Sequence, residues 1–298
     1  MRLKQYQLSS PLTQAIRLGH QAGLVISERS IRLALVRRTL GGVHLEDIKT
    51  QTTPSAETPT WPERIKRATD FAAGFLHERH LSKVPINIGL LGDDIAFRRL
   101  YLPRIPAKEL TQAVIWEGQK LFPFELAPEA LYYETADNLV FNEIEQLGVN
   151  IIAAKSEIIQ SAYEFCRATN LEIGQINFLP QFFTGLPLVT EDKDSRRLIL
   201  FLDPDFSLAL FLQSGRLEFF QRFVAVPAEF DGSPGSVAMN AIMAELHTFL
   251  DLYYAQIRGN PLQSALLCGR LASSPEAVAH IAEQIDLPCQ SVESLPLL

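Results

Sequence analysis

The residues best placed for chemistry in this chain of 298 residues are Asp203 and Asp205, two carboxylates separated by Pro204 between two apolar runs. Acids at that spacing can share a divalent cation or divide acid and base work, and a Pro-Asp turn between strands is also an ordinary chain reversal, which is how this one reads. His77 and His80 stand three apart, close enough for two imidazoles to meet one metal on a helix, but no third ligand is suggested nearby and the pair reads as a solvated helix end. Cys166, Cys268 and Cys289 are widely separated and follow no signal peptide, so a reducing compartment without a disulfide framework is expected, with Cys166 as a small core residue. Glu117 falls on the apolar stripe of a helical pattern, at the edge of the buried face or against a cation. The phosphate loop G-x-x-x-x-G-K-[ST], the dinucleotide G-x-G-x-x-G, the G-x-S-x-G elbow and the H-E-x-x-H zinc motif are all missing. The sequence offers no credible hydrolase or metalloenzyme site.

Composition bounds the rest. A chain of this length, 47% hydrophobic and 20% charged, can bury one large core or two modest ones. Its net charge of -7, with no basic run beyond pairs such as Arg37-Arg38 and Arg196-Arg197, argues against a nucleic-acid surface. The most apolar run, Leu198 to Leu212, is broken by Asp203, Pro204 and Asp205, and no stretch approaches the ~20 apolar residues of a spanning helix. A cytoplasmic protein that does not cross the membrane is expected.

These residues need elements to position them. Leu8, Leu12, Ala15 and Ile16 share one face of a short helix with Ser10 as cap and Pro11 in its first turn, a basic lead-in expected to pack on its own domain rather than anchor to lipid. Strands joined by a turn and by Gly41-Gly42 fill 22 to 48, and Ile65, Ala68, Ala72, Phe75 and Leu76 mark an amphipathic helix. Ile86, Ile88 and Leu90, then Gly92-Asp93-Asp94, then Ile95, Phe97, Arg99 and Tyr101 read as a hairpin. Pro106 opens a helix whose stripe is Leu110, Ala113, Val114 and Leu121, and Pro123 ends it, leaving Phe122 and Phe124 as an apolar exit. A strand near 131 to 135, a polar loop, an apolar strand from Val149 to Ala154, a helix capped by Ser156 and a strand from Ile173 to Asn177 follow. The polar run Glu191-Asp192-Lys193-Asp194 is the expected boundary, giving a first half of 1 to 190 with a small α+β insert at about 84 to 155, and a second half of 191 to 298. The second half restarts the pattern: three strands through Val224, a helix from Ser236 to Arg258, a strand from Ser264 to Cys268, a helix from Pro275 to Ile285, and a last strand near Pro288 to Val292. LVISERSIRLAL, from Leu24, lies over FLDPDFSLALFL, from Phe201.

The central stretch carries a resemblance. Arg98, Leu102, Pro103, Pro106, Glu109, Leu110, Glu117, Pro123, Phe124 and Glu125, in a run from strand to turn to helix to F-P-F-E, resemble the PilM family of actin-like proteins in type IV pilus inner-membrane assembly platforms, relatives of FtsA and of the GspL cytoplasmic domain. The resemblance implies an α/β, duplicated actin-like (ribonuclease H-like) fold, consistent with the repeated β-β-β-α-β-α-β unit. It also implies where a nucleotide would sit. The family's first phosphate turn resembles G-L-D-I-G-x-x-S-I-K, and here it reads Gly23 to Arg32 with Val25 for the acid, Ser27 for the close-approach glycine, then Ser30 and Arg32. Glu28 adds negative charge inside the turn, unfavourable toward a phosphate unless Arg29 or Arg32 offsets it. The second turn, D-x-G in the family, is Asp203-Pro204-Asp205, which loses the glycine and a backbone donor. The double glycine is reduced to Gly269 before Arg270, and Glu245, Tyr253 and Tyr254 match a helix motif.

By resemblance, Ser27, Ser30, Arg32, Asp203, Glu245 and Gly269 form a degenerate site for ATP and magnesium. The implied role is a cytoplasmic, inner-membrane-associated scaffold of a pilus, secretion or competence machine, a possible homo-oligomer. It would bind the cytoplasmic tail of a PilN-like single-pass protein at a groove beside the insert, where Phe122, Phe124 and the hairpin present apolar pockets to an extended peptide. Two alternatives stay open: a working PilM-type ATPase, and a GspL-like type II secretion subunit, which would normally continue into a membrane helix where this sequence stops at Leu298.

Overall fold

A computed structural model describes residues 18–53, 59–141, 144–189, 196–203, 206–223, 232–256 and 261–294. The lead-in helix at 8 to 16, the polar run at 191 to 194, Pro204-Asp205, Val224 and Arg258 lie outside the described residues. The chain divides into two compact units, 1–182 and 183–298.

In the first unit, β1 (Gly19–Ile26), β2 (Ser30–Thr39) and β3 (Gly42–Thr52) form an antiparallel meander. Alternation builds it, because Ala22, Leu24 and Ile26 on β1 and Ile31, Leu33 and Leu35 on β2 are buried on one face. Next come α1 (Trp61–Glu78), β4 (Pro85–Leu90), α3 (Ser156–Ala168) and β8 (Glu172–Phe178), with β4 parallel to β1 and β8 parallel to β4, so the sheet order is β3-β2-β1-β4-β8. Between β4 and α3 lie β5 (Ile95–Pro103), α2 (Ala107–Gly118), β6 (Leu131–Phe141) and β7 (Ile144–Ala154). These strands form a separate antiparallel sheet, β5-β7-β6, that packs Leu100, Leu102, Val149 and Ile151 against Val114 of α2.

The sequence differs from the structure here in three ways. β4 and β5 are not the arms of a hairpin. Both edges of β4 are taken by β1 and β8, and Ile86, Ile88 and Leu90 are all buried, so β5 starts another sheet. Gly92 makes the exit from β4 possible, since a Cβ there would lie 2.5 Å from the Trp61 ring. The insert is closed at its neck, where Lys155 Nζ lies 2.6 Å from Asp94 Oδ1 and the Lys155 N–H donates to the Asp94 carbonyl at 3.2 Å. Leu121, expected on the buried stripe of α2, falls in the turn after the helix and is exposed. The polar loop expected after residue 135 is the β6–β7 hairpin, whose pairing continues past a bulge between Thr135 and Asn138 to Phe141 opposite Ile144.

The second unit repeats the order as β9 (Arg196–Leu202), β10 (Ser207–Gln213), β11 (Arg216–Phe223), α4 (Val237–Gln256), β12 (Ser264–Cys268), α5 (Pro275–Ile285) and β13 (Cys289–Ser291). Its sheet order, β11-β10-β9-β12-β13, has the connectivity of the first. Met239 and Met243 lie in its core with Leu246 and Leu250. A buried polar chain crosses this core. Arg196 Nη2 donates to Gln213 Oε1 at 3.0 Å and lies 3.5 Å from Glu218 Oε1, and the Tyr253 hydroxyl donates to Glu218 Oε2 at 2.9 Å. Tyr253 also stacks on Phe211, centroids 4.4 Å apart, which pins α4 to the sheet.

Glu218→Gln weakens the buried pair and is expected to cost about 3 kcal/mol, while the joint change Arg196→Met with Glu218→Leu costs less, because an uncompensated buried charge is worse than none; denaturant titration of the three proteins measures this. α1 offers a pH test. The Thr60 N–H donates to Glu63 Oε2 at 2.8 Å, and this bond holds the Glu63 carboxyl below its usual 4.5. Its contribution is present above that unfolded value and lost as pH falls through the folded one, so the Tm gap between wild type and Glu63→Gln is widest near pH 7 and closes in acid.

Candidate functional site

The turn between β1 and β2 is the first place where a fold of this connectivity can offer backbone N–H groups to an anion, and its serines decide what those groups do. Ser27 and Ser30 are both buried. Ser27 Oγ accepts from the N–H of Ser30 at 3.0 Å and from that of Arg29 at 3.3 Å, and lies 3.1 Å from the Ser30 carbonyl. The Ser27 N–H donates to the same carbonyl at 3.0 Å. Three N–H donors of this turn, those of Ser27, Arg29 and Ser30, are therefore satisfied inside it, two of them by the Ser27 hydroxyl. Arg32 lies two residues along β2, paired with Val25, the residue at the expected acid position. Arg32 and Glu28 are half-buried and have partners of their own.

In the second unit a serine bridges the residues that flank the end of β9 and the start of β10. Ser207 Oγ accepts from the Asp203 N–H at 3.2 Å and donates to the Asp203 carbonyl at 3.1 Å, with Phe206 stacked on Phe201 beneath it. Asp203 is half-buried and the Asp205 carboxylate lies outside the described residues. Gly269 follows β12 at φ 84°, and a Cβ there would sit 2.6 Å from the Leu202 carbonyl oxygen. The structure thus brings Asp203 and Gly269 together through Leu202, and it gives Gly269 a packing reason within its own unit. Glu245 is half-buried on α4 with a partner of its own, while Tyr253 of the same motif is fully buried in the polar chain and Tyr254 is exposed.

The remaining candidates separate cleanly. Phe122, expected in a pocket open to a peptide, is core: it is 6% exposed, packed with Leu126 and Ile151, its ring 5.6 Å from that of Phe124. Phe124 is half-buried, and the exposed apolar side chains of this region are Trp116 at 70% and Leu121 at 40%. Glu117 lies at the helix edge with Lys120 Nζ 2.6 Å away. His77 and His80 are exposed at the end of α1, and no group of three His, Cys, Asp or Glu residues that could hold a metal occurs among the described residues. Burial pushes the Cys166 and Cys268 thiols up to about 12 and that of Cys289 up to about 11, so none is a ready thiolate near neutral pH. Sequence reasoning missed the Ser207 clamp and the chain from Arg196 to Tyr253. An acid at Glu218, between Leu217 and the pair Phe219-Phe220, was the available sign of the latter.

No protein-family model matches the chain, and no curated protein matches it in sequence. Solved structures do. A chain of the PilM–PilN type IV pilus biogenesis complex superposes with a TM-score of 0.69 over 91% of this chain and 88% of that one, at 18% identity. The cytoplasmic domain of EpsL, an inner membrane component of the type II secretion system of Vibrio cholerae, gives 0.50 over 84% and 82% at 9% identity. A Bacteroides thetaiotaomicron protein with an actin-like ATPase fold and unknown function gives 0.50 over 93% and 91% at 10% identity. The fold is the actin-like α/β fold in its PilM-like form.

Gly269→Ala must displace the backbone of β9 or leave its own positive φ, so a loss of about 2–4 kcal/mol is expected on denaturant unfolding. A loss below about 1 kcal/mol, the cost of a mild conformational preference, would mean that the approach to Leu202 is loose.

Proposed function

We propose that this protein is an actin-like scaffold of an inner-membrane assembly platform, serving a type IV pilus or a related secretion or competence machine. In this reading it binds the cytoplasmic tail of a PilN-like single-pass protein and does not hydrolyse ATP efficiently. The observation that carries the proposal is the pairing of a PilM-like fold over nine-tenths of the chain with a first phosphate turn whose N–H donors are taken up by Ser27 and Ser30. A phosphate entering that turn would have to displace bonds already made in a buried setting, with Val25 where the metal-shell acid is needed. Location follows from role: a cytoplasmic subunit held at the inner membrane through its partner, in keeping with the finding that no described helix is long and apolar enough to cross a membrane. The tail docks beside the insert, with Phe124 lining the contact and Phe122 behind it holding the insert's core in shape.

Two measurements on one preparation test this. Millimolar Mg-ATP is expected to leave Tm unchanged, whereas a ligand at a hundred times its Kd would add about 2.7 kcal/mol to the folded state. A synthetic peptide copying the cytoplasmic tail of a PilN-like protein of the same organism is expected to bind by calorimetry, and Phe124→Ala to weaken it about tenfold, roughly 1.4 kcal/mol. A magnesium-dependent rise in Tm would restore the ATPase reading, and a tail that does not bind would remove the partner.

A further inference from the structure

The β1–β3 meander has two faces of opposite character. On the face toward α1, Glu46 meets His20 at 3.1 Å and Arg37 at 3.0 Å, Asp47 pairs with Arg79, and Lys49 reaches Glu78 at 3.6 Å. These include every acid of the three strands. The register places Arg38 with Val43, Val36 with Leu45 and Ala34 with Ile48 on the other face, a bulge at Glu46 keeping Leu45 and Ile48 on the same side. Val43, Leu45 and Ile48 there are 45%, 60% and 57% exposed, and Leu40 in the adjoining turn is 94% exposed. An apolar strip of this kind on one face, bordered by cations and free of acids, is unusual on a chain of net charge -7.

We propose that the β2–β3 face docks an amphipathic partner segment, apolar on one side and carrying carboxylates at its border. From Val43 to Ile48 the strip runs about 17 Å, which a helix of roughly eleven residues covers. Charge selects the occupant. The protein's own first seventeen residues carry Arg2, Lys4 and Arg17 and no acid, so laying them here sets cation against cation. A second copy of the same face does likewise. A partner with Asp or Glu beside its apolar stripe meets Arg38 with opposite charge while covering Leu45 and Ile48. This surface is separate from the tail-binding region proposed beside the insert.

Panning phage-displayed random 12-residue peptides against the full chain, with the L45K/I48K variant for counter-selection, tests the assignment. Both positions are exposed, and an unchanged circular dichroism spectrum and Tm verify that the variant is folded. Enriched peptides are expected to show apolar residues at three- and four-residue spacing with an excess of Asp and Glu. A synthetic copy is expected to bind Leu45→Lys at least tenfold more weakly than wild type, and Arg38→Glu several-fold more weakly with a reduced salt dependence. Peptides that survive counter-selection or are enriched in Lys and Arg would overturn the proposal. A wild-type dimer that Leu45→Lys dissociates would give the face to a second copy, and sedimentation with phosphatidylglycerol vesicles that Leu45→Lys abolishes would give it to lipid; each also overturns it.

Discussion

A strand that is hydrogen-bonded along both edges has no edge left to give, and that constraint arranges the first unit. β4 lies between β1 and β8 with every inward side chain buried, so the chain leaving it must found new structure elsewhere. It does so under the Trp61 ring, which is why Gly92 carries no side chain. The three-stranded insert follows from that exit, and α3 and β8 resume the sheet once the insert has returned to Asp94. In the second unit β12 is likewise held between β9 and β13, but its connection is only a short turn and α5. One topology carries two outcomes because only one of its equivalent connections was extended.

Serines at the ends of β1 and β9 take up backbone N–H groups there. A glycine at such a turn leaves N–H groups pointing into space, and a serine brings an acceptor to them. Ser27 serves the Arg29 and Ser30 donors and Ser207 serves Asp203. The close approach of Gly269 to Leu202 persists beside them as a feature of the sheet's own packing. In each unit the serine thus becomes part of the hydrogen bonding that joins the first two strands.

Most of this frame was legible in the sequence because its signals are local. Period-two runs gave the meanders, Pro275 sits at a helix start, and LVISERSIRLAL against FLDPDFSLALFL carried the repeat. What escaped depends on partners far away in the chain. Whether Ile95 continues a hairpin or opens another sheet is settled by β8, some eighty residues later. Phe122 and Phe124 look alike in a Phe-Pro-Phe run, and only the insert's packing makes the first core and the second half-buried. The serine clamps were visible as residue types, but their effect lies in which N–H each hydroxyl reaches.

The closed neck at Asp94 and Lys155 has an evolutionary consequence. With entry and exit tied together, the insert adds almost no demand on the register of the sheet that carries it, and its length and surface can drift while β4 and α3 keep their places. The insert's surface can then change while the parent architecture stays under separate selection. Descendants of such a chain can diverge in sequence to the point where no family profile recognises them and still keep the parental shape.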